Sequence, residues 1–84
     1  MSRFNGVELT ADAMQEAREQ FAANSEACIA EVKSGDVKVN DPESYFVWMQ
    51  QLAADALAGR SDHTLTFLQR AYFIQTGECV ALLP

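Results

Sequence analysis

The chain is 84 residues long, with a formal charge of −6 and 49% apolar residues. A length below ~100–200 residues leaves room for one domain, and the apolar fraction is that of a globular rather than a disordered chain. The acidic balance excludes the basic footprint of a conventional DNA or RNA binder, and no apolar run approaches the ~18 residues of a membrane span. Neither nucleic acid nor a membrane is therefore expected as a direct partner.

Asn5-Gly6 is a turn dipeptide, and Val7-Glu8-Leu9 after it is a candidate extended segment. Thr10 carries the hydroxyl of a helix N-cap, and Asp12 suits the positive end of the helix dipole. Leu9 and Met14 occupy the two positions of a hydrophobic staple. Met14, Ala17, Phe21, Ser25, Cys28 and Val32 then recur at spacings of 3, 4, 4, 3 and 4, which is one helical face. The helix is expected to stop near Ser34, where Gly35 supplies the terminating residue. Residues 36–40, Asp-Val-Lys-Val-Asn, alternate polar and apolar side chains. They read as a short extended connector, with the 3–9 segment as a candidate strand partner.

Asp41-Pro42-Glu43 is the clearest helix start in the chain: a capping carboxylate, a proline at the first position and a glutamate suited to the dipole. Tyr45, Phe46, Trp48, Met49, Leu52, Ala53, Ala56 and Leu57 cover more than half of this second helix, which Gly59 ends. Ser61 or Asp62 is the expected cap of a third helix with Leu65, Phe67, Leu68, Ala71, Tyr72, Phe73 and Ile74 as its apolar positions, ending at Gly77. The tail from Glu78 to Pro84 is apolar and is expected to pack back on the helices. The fold class is thus all-α: a small three-helix bundle, with a long N-terminal helix followed by an αα-hairpin and a short apolar tail, residues 1–84 forming one helical domain.

The residues that carry chemistry are few. Cys28 and Cys79 form no CxxC pair, and they read as two small buried hydrophobes in a reducing compartment. Met1 to Gly6 lacks the apolar core of a signal peptide, so a cytoplasmic location is expected. His63 is the single histidine, and its setting in Ser61-Asp62-His63-Thr64 looks like a helix start rather than a catalytic triad, whose members need separate placement. Cysteine catalysis through Cys28 or Cys79 with His63 ranks last among the readings. One histidine and two distant cysteines offer no metal-ligand spacing, and four isolated glycines make no phosphate cradle. No cofactor and no metal is expected.

The acidic residues are more informative. Glu8, Asp12, Glu16, Glu19 and Glu26 are spaced 4, 4, 3 and 7, which places them on one face of a helix, opposite the Met14–Phe21–Cys28 side. Residues 8–31 hold six carboxylates against Arg18 alone, a net of −5. An ordinary solvated face accounts for this. So does a docking surface for a basic partner, because like charges at i,i+4 cost helix stability while building a directed field. Tyr45, Phe46, Trp48, Phe67, Tyr72 and Phe73 are divided in the same way between a small aromatic core and an exposed anchor patch.

The expected function is that of a small acidic, non-enzymatic protein-binding module that inhibits or regulates a larger partner with a basic surface. Phage and mobile-element accessory proteins that block host defence or other host machinery have this character. The residues expected to bind the partner are Asp12, Glu16, Glu19 and Glu26 for electrostatic docking, and Phe46 and Trp48 as apolar anchors. The alternative is a homodimeric structural or regulatory helical module with no other partner.

Overall fold

The computed structural model describes residues 3–80, and in it three helices follow a two-stranded hairpin. Strands β1 (Arg3–Phe4) and β2 (Val7–Glu8) pair antiparallel, Arg3 with Glu8 and Phe4 with Val7. Asn5 and Gly6 make the turn with φ of 50° and 77°. Positive φ at both central residues is the type I′ geometry that matches the twist of a tight hairpin, and it explains an Asn-Gly pair here. The candidate pairing of residues 36–40 with the 3–9 segment, which the sequence leaves open, does not form: residues 36–40 carry no strand, and β1 pairs with β2. A two-residue turn closes a local pair at little entropic cost, whereas residues 36–40 would have to return across the length of a helix.

Helix α1 (Ala11–Ser34) starts on Thr10, whose Oγ1 accepts from the Ala13 N–H at 3.0 Å. It ends on Gly35. Its buried residues are Ala13, Met14, Ala17, Ala22, Ser25 and Ile29, while Phe21, Cys28 and Val32 on the expected stripe are half-buried. At ~100° per residue the buried set spans an arc of about 180°, wider than a single stripe. The reason is tertiary: α2 (Pro42–Ala58) and α3 (Thr64–Thr76) both pack on α1, one along each side of the predicted face. Each meets α1 far more extensively than it meets the other, so α2 and α3 are both held against α1.

Asp41 caps α2 through its Oδ1, which accepts from the Ser44 N–H at 3.2 Å, while its Oδ2 accepts from the Ser44 hydroxyl at 2.8 Å. At the other end Gly59 takes φ 74°, its N–H donating to Ala56 and the Arg60 N–H to Asp55 at 2.9 Å. This is the Schellman arrangement, in which a left-handed residue lets two orphan carbonyls be satisfied at once. The expected cap of α3 is corrected. Its N-cap is His63 and no side chain caps it, because the Ser61 hydroxyl accepts from the His63 N–H at 3.1 Å, ahead of the helix.

The core joins Leu9, Ala13, Met14, Ala17, Ala56, Phe67, Ala71 and Tyr72, with Phe4, Val7, Phe21, Leu68, Ile74 and Val80 packed around it. Four alanines in the central set let the helix backbones approach closely. The hairpin is held to α3 by polar contacts as well. The Asn5 amide donates to Tyr72 Oη at 3.1 Å, Tyr72 donates to Glu78 at 3.3 Å, and Phe4 meets the Tyr72 ring edge-on at 5.9 Å. Gln75 spans the hairpin–α1 junction: its Oε1 accepts from the Thr10 N–H at 2.8 Å and its Nε2 donates to the Glu8 carbonyl at 3.2 Å. The tail returns as far as Val80, whose carbonyl accepts from Gln69 at 3.4 Å; the rest of the predicted apolar tail, 81–84, lies outside the described residues.

Candidate docking surfaces

The N-cap at Thr10 fixes the phase of α1, and with it the positions of the acidic residues. Asp12, Glu16, Glu19 and Glu26 are all exposed. By helical phase they fall within an arc of about 80°, centred opposite the buried arc. Glu8 is corrected out of this set: it is exposed but sits in β2, before the helix begins. Periodicity counted through a cap does not survive it, because the backbone is extended on one side and helical on the other.

The acidic face carries little compensation. Among the described residues the one ion pair joins Arg60 Nη2 to Asp55 Oδ1 at 3.5 Å, away from α1. Lys33 Nζ lies 5.4 Å from the centre of the Phe46 ring, a cation–π arrangement. Arg70 Nη1 donates to Gln20 at 3.2 Å. Arg18, the cation nearest the stripe in sequence, is half-buried on α1 with its Nε buried and unpartnered. The cations are thus drawn to the flanks, and the outer face of α1 presents carboxylates with uncharged residues such as Ala23, Ala27 and Ala30 between them.

The two expected aromatic anchors are not brought together. Phe46 and Trp48 are two residues apart on α2 and so project from opposite flanks of it. Trp48 is 56% exposed. Phe46 is half-buried, covered by the Lys33 chain, with the Tyr45 ring 6.3 Å away. Tyr45 also meets Trp48 at 6.3 Å. Partial desolvation, reinforced by the neighbouring Cys28 thiol, holds the Tyr45 phenol above its ordinary titration range. Two further exposed apolar residues on α2, Val47 at 67% and Leu57 at 51%, were outside the anchor set that sequence reasoning selected. The signal was available as helical phase, since Val47 lies opposite Tyr45 and Ala56 on the helix.

The expected burial of both cysteines is corrected. Cys28 is half-buried beside Tyr45, whereas Cys79 is exposed. Cys79 lines an open groove of about 310 Å³ between α3 and the returning tail, together with Thr66, Gln69, Arg70, Phe73 and Val80. His63 is exposed, its Nδ1 3.0 Å from Ser61 Oγ and its ring 5.2 Å from Phe21. No His, Cys, Asp or Glu cluster of three converges as metal ligands would among the described residues.

These features define a small helical chain in which the long α1 is acidic along its exposed side and α2 carries exposed apolar residues. No helix among the described residues is long and apolar enough to cross a membrane. Comparison with protein families, with curated proteins and with solved structures finds no match.

Proposed function

We propose that this protein is a non-enzymatic binding module whose α1 face docks on a basic surface of a larger protein, acting there as an inhibitor or regulator. The observation that carries the reading is the uncompensated α1 face. Asp12, Glu16, Glu19 and Glu26 are exposed on one side of a rigid helix, with no Lys or Arg nitrogen within 4.0 Å of any of them among the described residues. Like charges at three- and four-residue spacing cost the helix stability, and interleaved lysines would remove that cost. Their exclusion fits a surface selected for its field, which raises encounter rates with a positive partner and suppresses other partners. Trp48, 56% exposed on α2, offers a separate apolar contact. The character matches the accessory proteins with which mobile elements block host machinery, and we assign the protein a cytoplasmic role of that kind.

The test is a tagged pull-down followed by purification of whatever the protein captures and measurement of its affinity across a salt series. The comparison is a triple variant, Asp12→Lys, Glu16→Lys and Glu19→Lys, checked for retained helicity. The expected result is a partner whose affinity falls with salt and drops at least ~tenfold in the variant. A purified partner that binds parent and variant equally overturns the reading.

A further inference from the structure

We infer that the outer face of α2 is a self-association surface, on which a second copy of this chain lies antiparallel, α2 against α2. The inference does not depend on the acidic face of α1, which such a pair leaves outward and doubled.

The face is defined by phase. Ser44, Val47, Gln51, Ala54 and Ala58 are spaced 3, 4, 3 and 4, and all five are exposed. They fall within an arc of about 80° on the side of α2 away from α1. This is the 3,4 spacing at which helix pairs meet, here with small or polar residues at four of its five positions. Trp48 flanks it and is 56% exposed, whereas Leu57 lies about 100° from the middle of the face, turned off the seam. Exposed large side chains in a chain whose core is rich in alanine indicate apolar area left for a further contact.

Three observations select a second copy as the occupant. The first is charge. From Ser44 to Ala58 every exposed side chain of α2 is neutral, and the half-buried Asp55 at the edge is already paired with Arg60. Two chains of charge −6 repel at most approaches, and this face lets them meet without opposing carboxylates. The second is shape. Val47 and Trp48 lie in the N-terminal half of the face, Ala54 and Ala58 in the C-terminal half. An antiparallel two-fold axis through Gln51 sets the large half of each copy on the small half of the other, which is isologous self-complementarity. It also brings the acidic start of α2, Asp41 and Glu43, beside the partner's Arg60, which follows the end of the helix. The third is area. The exposed parts of Val47 and Trp48 come to roughly 250 Å² per copy, and the smaller seam residues bring a pair toward the ~1,000 Å² of a specific interface.

Sedimentation of the full chain over a concentration series provides the measurement, with cross-linking to fix the geometry. The expected parent species is a dimer of twice the 9.3 kDa chain mass. Ala54→Glu, and separately Val47→Lys, should weaken it at least ~tenfold with unchanged helicity. In a Cys28→Ala, Cys79→Ser background, Gln51→Cys should oxidise to a disulfide-linked pair. Ser44→Cys and Ala58→Cys should link to each other when mixed, but not to themselves. A parent that stays monomeric up to roughly 1 mM overturns the inference, including when a different protein occupies this face. So does a dimer indifferent to both seam variants, or Ser44→Cys linking to itself as readily as Gln51→Cys.

Discussion

Leu9→Ala tests the packing most directly. Leu9 is 1% exposed, the largest fully buried side chain among the described residues. It sits where the hairpin turns into α1, among Ala13, Met14, Ala17, Ala56, Phe67, Ala71 and Tyr72. Leucine-to-alanine changes at such sites cost ~2.7–5 kcal/mol, depending on how far the surroundings collapse. Four of the seven other residues of that cluster are alanines on helix backbones, which have no flexible atoms to move into a space, while a methionine such as Met14 has. A loss of ~3 kcal/mol follows. A chain of this length has a total stability of ~4–13 kcal/mol, so the variant forfeits a large share. At ~4–8 °C per kcal/mol the melting temperature falls by ~12–24 °C. The assay is thermal unfolding followed by far-UV circular dichroism, beside Leu57→Ala as the control. Leu57 is the same residue type, 51% exposed, and its replacement should move the midpoint by no more than a few degrees. A Leu9→Ala drop below ~4 °C, or equal drops in the two variants, would refute the packing argument.

Other outcomes follow from the polar contacts. Gln75→Ala removes both bonds that span the hairpin–α1 junction and should cost ~1–3 kcal/mol in urea unfolding, with the loss concentrated in amide exchange of residues 3–10. Hydrogen bonds from Ser44, side chain first and backbone second, hold the Asp41 carboxyl below its ordinary value of 3.8. The unfolded chain takes up that proton first as pH falls, so Asp41 contributes stability above pH 3.8 that is lost as pH drops through its lower folded value. The stability difference between parent and Asp41→Asn should therefore narrow through that acid window; a difference constant with pH would contradict the cap's charge dependence. A maleimide should label exposed Cys79 well before half-buried Cys28, read as mass shifts of Cys79→Ser and Cys28→Ala variants; equal rates would contradict the placement of α2 over Cys28.

The face of α1 that carries charge was legible because a helical phase, once fixed by Thr10, assigns every later position. The error at Glu8 marks the limit of that logic, since phase begins only at the cap. Residue type points to Phe46 and Trp48 as anchors, but type does not say which flank of a helix another element covers. Cys79 was likewise placed in the core by its chemistry, whereas the tail brings it to the rim of a groove beside Arg70.

What the sequence determined by itself is where the chain turns, where its helices end, and where α1 and α2 begin. Thr10, Asp41-Pro42, Gly35, Gly59, Gly77 and the Asn5-Gly6 turn all act within a few residues through backbone geometry and capping hydrogen bonds, so local pattern suffices. What only the tertiary structure decided is how α1 shares its buried side between two helices, and which apolar residues remain outside. Asn5 meets Tyr72, and Gln75 meets Glu8, across 67 residues of chain. Such contacts depend on the simultaneous placement of three helices, because burial is a property of neighbours in space and a residue's own type and phase carry no record of them.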